Sequence, residues 1–229
     1  SRRLYTEIVR PVLERDFPGL AYAAARLGSG SEVLGYDTPM STDHDWGPTV
    51  QLYLPSEQLE TGAAIRSAVA LALPEQFYGY PVQIAAGAER PELPRADDGS
   101  DPRLHPVWIT TVAGFARQQL DWDPAEPLTA AHWLVWPQQQ LLQVTAGALF
   151  HDSAGELTAL RNRLAWYPRD LWLYLLASGW QRISQDEHLM PRAGYVGDEL
   201  GSALIGARLV HDIMALAFLQ EQRYAPYPK

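Results

Sequence analysis

Leu27-Gly28-Ser29-Gly30-Ser31 and the Asp43-His44-Asp45-Trp46 that follows it constrain this chain more than any other stretch. Two glycines in three positions demand a backbone that turns sharply and comes close to whatever lies beside it. Ala21 to Leu27 before the turn reads as a strand running into it. In an extended segment alternate side chains share a face, so Asp43 and Asp45 point the same way. Their Cα atoms then lie roughly 6.6 Å apart. Two carboxylates about 4 Å apart repel by roughly 1 kcal/mol in water and about 4 kcal/mol near a protein surface. A divalent cation between them reverses that sign. Mg²⁺ is commonly held by one or two carboxylates together with substrate phosphates. Asp43 and Asp45 are therefore the candidate metal ligands and the candidate catalytic residues.

The turn supplies the complementary half of such a site. Gly28 and Gly30 let backbone N–H groups approach a phosphate, and Ser29 and Ser31 add hydroxyl donors. Successive N–H groups in a turn form an anion-binding concavity. No Gly-Lys-Ser/Thr follows, so this is not a P-loop. The cofactor expected is Mg²⁺ or Mn²⁺, arriving with a nucleoside triphosphate. The bland alternative is a Gly/Ser turn followed by an Asp-rich turn.

Charge narrows the partners. The 229 residues carry a formal net charge of −9, with 47% of residues hydrophobic. A globular chain of this length buries one sizeable core or two small ones. The acidic balance (sequence pI near 5.1) and the lack of a large basic stripe disfavour nucleic acid as partner. A small-molecule acceptor fits better. The absence of cysteine excludes disulfides and thiolate metal sites and permits a cytoplasmic setting. No uninterrupted apolar run looks long enough to span a bilayer, and no secretory leader is visible, so no membrane partner is expected.

Apolar spacing predicts a first helix over residues 4–15, with Pro11 inside it, stopped by Phe17-Pro18-Gly19. Val50–Leu54 alternates like a strand, residues 60–72 like a helix, and Tyr80–Ile84 like a short edge strand bearing Pro81. Residues 86–103 read as a loop. Trp108–Leu120 reads as partly helical, and Leu141–Phe150 as one helix or strand running into a turn at His151–Gly155. Leu171–Arg182 and Gly197–Gln222 are clear helices. In the second, Leu200, Leu204, Leu209, Ile213, Leu216 and Leu219 supply an apolar stripe. The expected fold class is α+β: a mixed sheet with flanking helices over residues 1–105, then a mainly helical domain over 106–229.

The hydrophobic residue, Gly-Ser, thirteen-residue gap and Asp-x-Asp resemble the signature of the polymerase-β-like nucleotidyltransferase superfamily; Gly30-Ser31 also fits, with an eleven-residue gap. Gly30–Pro48, Trp166–Trp172, Gly197–Ser202 and Arg223–Lys229 together resemble an uncharacterised bacterial domain family within it. A helical C-terminal domain of this kind is similar to that of kanamycin nucleotidyltransferase. The resemblance implies transfer of a nucleoside monophosphate from an NTP to a small molecule, with the helical domain helping to bind the acceptor. Active members usually carry a third carboxylate on a later strand. The matching strand is taken as Pro81–Ile84, where Gln83 holds that position, and the matching base-bearing helix, Leu171–Trp180, has no Glu. A non-catalytic nucleotide-binding or protein-interaction module that keeps the fold is the alternative.

Other acids are weaker candidates. Asp152 precedes a Gly turn, while Asp170 and Asp198 each begin a helix, where capping is the ordinary role. Lys229 is a candidate phosphate contact at the end of the chain. His44 faces away from Asp43 and Asp45. His211-Asp212 is best read as a pair on a helix surface. His105, His132, His151 and His188 show no metal-ligand spacing.

Overall fold

The computed structural model of the protein describes residues 1–38, 47–74, 76–81 and 106–227. Its α+β architecture joins a mixed sheet to a helical C-terminal region. The chain divides into two compact units. One comprises Ser1–Pro127 with Gln143–Leu164, the other Leu128–Leu142 with Ala165–Pro228. The sheet of the first unit thus draws on residues from both sides of position 105.

That sheet has four strands in the order β5-β2-β1-β6: β1 Ala23–Arg26, β2 Val50–Tyr53, β5 Val107–Thr110 and β6 Ala148–Asp152. β1 pairs antiparallel with β2 and with β6, while β2 and β5 run parallel. Ala23, Ala24 and Ala25 are buried although they point alternately to the two faces. A strand covered on both sides has room for small side chains, which explains alanines in a strand despite their weak β-propensity. In β2, polarity alternates but burial does not. All four residues are buried, Gln51 included.

The first helix forms as one run from α1 (Arg2–Leu4) through a π-helical turn (Tyr5–Val9) into α2 (Arg10–Asp16). The Arg10 N–H donates to the Tyr5 carbonyl five residues back. The widened turn comes immediately before Pro11, whose ring clashes with the carbonyl four residues earlier in a regular α-helix. Leu4, Val9 and Leu13 pack there with Leu52, Ile65, Val69 and Val107, the last four contributed by the sheet and by α4 (Gly62–Ala72). A 3-10 turn, Ser56–Thr61, leads into α4. The short ribbon of β3 (Gln76–Phe77) and β4 (Tyr80–Pro81) covers the start of the expected Tyr80–Ile84 strand. The rest of that strand and the 86–103 loop lie outside the described residues.

Two segments differ from expectation. Val107–Thr110 is a strand, and the helix (α5, Val112–Leu120) begins only after Thr111, whose hydroxyl accepts from Gly114 N–H at 2.8 Å. The run Leu141–Phe150 is divided between α7 (Gln138–Thr145) and β6. Gly147 lies in the break at φ +79°, and a Cβ there would collide with the carbonyl of Arg26 and press on Val33 and Leu27. Arg161, from α8 (Glu156–Arg163), closes the same corner. Its guanidinium donates to the carbonyls of Thr145 (2.6 Å), Gly147 (3.3 Å) and Ala146 (3.4 Å) at the end of α7. Burial lowers its pKa from the ordinary value.

In the second unit, α6 (Ala130–Val135) places Trp133 among Tyr167, Trp166 and Tyr224, ring against ring at 4.9–5.5 Å. α9 (Arg169–Asp186), α10 (Leu189–Tyr195) and α11 (Glu199–Gln220) follow. The Trp172 indole N–H donates to the Leu219 carbonyl at 2.7 Å, and Asp198 caps α11 by accepting from Gly201 N–H at 2.8 Å. The expected apolar stripe is corrected here. Leu209, Leu216 and Leu219 are buried, whereas Leu200, Leu204 and Ile213 are exposed. They lie on other sides of a helix that is apolar nearly all round. By length and composition α11 is apolar enough to cross a membrane, with a mean hydropathy of 1.5, although Arg208, His211 and Asp212 interrupt its apolar run.

Gly147→Ala should lower stability by about 2 kcal/mol or more, since it adds a strained positive φ to a backbone collision. Urea denaturation of the full chain reads this as a lower midpoint. An unchanged midpoint would show that the corner relaxes at no cost.

Candidate functional site at the Gly28 turn

Leu27 leaves β1 fully buried, and Gln51 of β2 bonds both of its backbone polar groups. Its Oε1 accepts from Leu27 N–H at 2.7 Å, and its Nε2 donates to Leu27 C=O at 2.9 Å. The Tyr53 hydroxyl donates to the same Oε1 at 3.2 Å. Burial pushes the Tyr53 phenol well above its ordinary pKa, so it stays a neutral donor. The amide orientation is therefore fixed from both ends.

The four residues expected to seat phosphate divide into two pairs. Gly28 is buried at φ +85°, and its N–H is already spent on the Gln143 carbonyl at 2.8 Å. The Ser31 hydroxyl donates to Asp37 in a short hydrogen bond. Gly28 and Ser31 thus hold the turn's shape. Ser29 is exposed, and Gly30 sits at φ +117° before the short helix α3 (Ser31–Leu34). Among the described residues, nothing accepts from the N–H groups of Ser29 or Gly30. These are the donors that the turn leaves for an anion.

Arg26 was not singled out by the sequence reading. Its side chain is only 12% exposed. Nη1 donates to Leu27 C=O at 2.9 Å, and Nε lies 3.4 Å from a Glu32 carboxylate oxygen. Nη2 lies 2.6 Å from where a Cβ on Gly30 would stand, so a side chain there would push the guanidinium aside, and the φ of +117° independently favours glycine. A cation is thereby packed directly beneath the turn. The available signal was that Arg26 is the lone arginine or lysine between Arg15 and Arg66.

Asp43, Asp45 and His44 lie outside the described residues, as do Gln83 and Lys229. The described chain resumes at Gly47 and enters β2 at Val50. Because β1 and β2 are antiparallel, with Ala25 opposite Gln51, β2 begins at the end of the sheet where the Gly28 turn leaves β1. The strand beside β2 on its other side is β5, Val-Trp-Ile-Thr, which carries no carboxylate. Asp152 pairs with Ala23 at the far end of β1, and its carboxylate accepts from Thr158 N–H (2.8 Å) and hydroxyl (2.6 Å). It caps α8. Asp170 sits in the first turn of α9. Among the described residues, no group of three His, Asp or Glu side chains is placed to hold a metal.

A concavity of about 500 Å³ is lined by Ser56, Leu59, Thr111, Gly114, Arg117 and Gln118, beyond the C-terminal ends of β2 and β5. The Gly28 turn is at the opposite end of the sheet. Arg117 there is held by Asp123 at 2.5 Å.

Residues 133–229 match a family described as a domain of unknown function (DUF4037). No curated protein and no solved structure matches the chain.

Gln51→Leu should cost about 1–3 kcal/mol, because it strands the buried Leu27 N–H while Arg26 still donates to the Leu27 carbonyl. The measurement is the urea midpoint. A Gln51→Leu protein as stable as the parent would mean that water or a shifted side chain replaces the amide.

Proposed function

We propose that this chain is an Mg²⁺-dependent nucleotidyltransferase that moves a nucleoside monophosphate from an NTP to a small-molecule acceptor. One observation carries the reading. Leu27-Gly28-Ser29 closes a strand whose antiparallel neighbour is entered by a segment bearing Asp43 and Asp45, seven and five positions before Val50. The donor set suits the cofactor: two carboxylates offer hard oxygen ligands, which Mg²⁺ and Mn²⁺ prefer. Bound metal neutralises charge on the triphosphate and favours in-line displacement at the α-phosphorus.

In this reading the chain's own groups divide the work. Asp43 and Asp45 hold the metal. The Ser29 and Gly30 N–H groups and the Arg26 guanidinium orient phosphate oxygens. The acceptor oxygen bonds to the α-phosphorus as the bond to the leaving pyrophosphate breaks.

A second reading has its own support. The strand beside β2 has no acid, and no Glu lies in Leu171–Trp180. A fold that kept the phosphate seat without a base would bind nucleotide and not turn it over. Such a module would act as a nucleotide sensor or a protein-interaction unit.

Pyrophosphate release from labelled NTPs with Mg²⁺ and a panel of small hydroxyl and amine acceptors tests the first reading. Asp43→Asn and Asp45→Asn should each lower the rate by about 100-fold or more, as expected when transition-state charge stabilisation is lost. Undiminished turnover in both variants would reject the assignment. NTP-dependent thermal stabilisation without turnover across the panel selects the second reading, and no thermal shift with any NTP rejects both.

A further inference from the structure

The outer face of α11 is the largest unexplained feature of the second unit. The helix carries two opposed seams at three- and four-residue spacing. The inner one, Ile205, Leu209, Asp212, Leu216 and Leu219, faces its own unit. A Cβ on Gly179 of α9 would meet Leu216 at 3.0 Å, and Arg182 of α9 lies 3.5 Å from Asp212. On a neighbouring side, Gly206 lies against Met190 of α10. The outer seam is Leu200, Leu204, Ala207, His211, Met214 and Phe218. Leu200 is 72% exposed, Leu204 64% and Met214 58%, with Val210 on its flank at 56%. This spacing is that of the a and d positions by which one helix packs on another.

We propose that the outer seam of α11 pairs antiparallel with the same seam of a second copy of this chain, making the protein a homodimer. Three features on the page choose that occupant. The first is shape. A twofold axis beside Leu209 sets Leu200 opposite the mate's Phe218, Leu204 opposite Met214, and small Ala207 opposite His211. Such an isologous seam is complementary to itself.

The second is charge. The nearby charges are already used: Arg208 pairs with Asp186 at 2.8 Å, and Asp212 with Arg182. A partner that docks through opposite charge finds little to pair with, whereas a second apolar seam needs none. An anionic lipid surface requires a basic rim, and a chain of net charge −9 does not favour one.

The third is area. The outer seam runs six a- and d-type positions from Leu200 to Phe218, with Tyr195 (93% exposed) and Val196 (77%) just before the helix, and a standard interface takes about 800 Å² from each partner. This inference does not depend on nucleotidyl transfer.

Light scattering on the full chain, coupled to size exclusion at micromolar concentration, reads the outcome directly. The expected mass is twice the 25.5 kDa of one chain. Leu204→Glu combined with Met214→Glu should raise the dissociation constant by about 100-fold or more and leave far-UV circular dichroism unchanged. Because the chain has no cysteine, Ala207→Cys with His211→Cys installs the only thiols. Mild oxidation should then give a covalent dimer. A monomeric parent protein overturns the proposal, as does a glutamate variant that dimerises like the parent. A dimer in which the cysteine pair fails to cross-link excludes this antiparallel seam. Flotation of a monomeric protein with neutral or anionic vesicles assigns the face to lipid instead.

Discussion

Gln51 sits in a strand flanked on both sides and buried on both faces, a place where an unpartnered amide costs about 1–3 kcal/mol. It is tolerated because its side chain acts as a peptide group. It gives one acceptor and one donor to Leu27, exactly where β1 stops being a ladder strand and turns. The turn inherits its position from that clamp. Gly28 can direct its N–H back to Gln143 only because Leu27 is held, and Gly30 lies over Arg26 only because Gly28 has turned. Tyr53 locks the amide by donating to its oxygen.

Packing at the corner behind the turn follows the same logic. Gly147 allows β6 to approach Arg26 with no side chain between them, and Arg161 caps the carbonyls that the break in the chain leaves open. The alanines of β1 and the glycine just before β6 are two solutions to one constraint. Backbones must come close at the point where the turn is anchored. Interiors pack at near-crystalline density, so such a corner has little freedom to shift.

How far the sequence revealed this depends on whether the signal was local. The Gly28 turn, β1, β2 and the C-terminal helices were legible because turn residues and apolar spacing act over a few positions. β5 was missed because Val-Trp-Ile-Thr runs without interruption into an apolar helix. The overlooked mark was Thr111, a cap residue placed between them. Gly147 was the equivalent mark in Leu141–Phe150. The stripe on α11 was read as one face, yet Leu209 and Leu216 turn inward while Leu200 and Leu204 turn outward. A helix apolar on opposite sides gives no single moment to follow. Arg26 was invisible for another reason: its role depends on the missing Cβ of Gly30, a contact that spacing alone does not show.

The pairing of Arg26 with Glu32 bears on what the turn can bind. At 3.4 Å the two charges largely satisfy each other, so the guanidinium offers an incoming anion less than a bare cation would. Two unspent N–H groups beside a half-neutralised arginine favour a ligand that brings its own countercharge. On the function proposed above, a metal-chelated triphosphate would be such a ligand, its cation held by Asp43 and Asp45 and its oxygens by Ser29, Gly30 and Arg26. A free phosphate brings no countercharge of its own. The acidic balance of the chain, which disfavours bare polyanions, is in this way compatible with a phosphate seat.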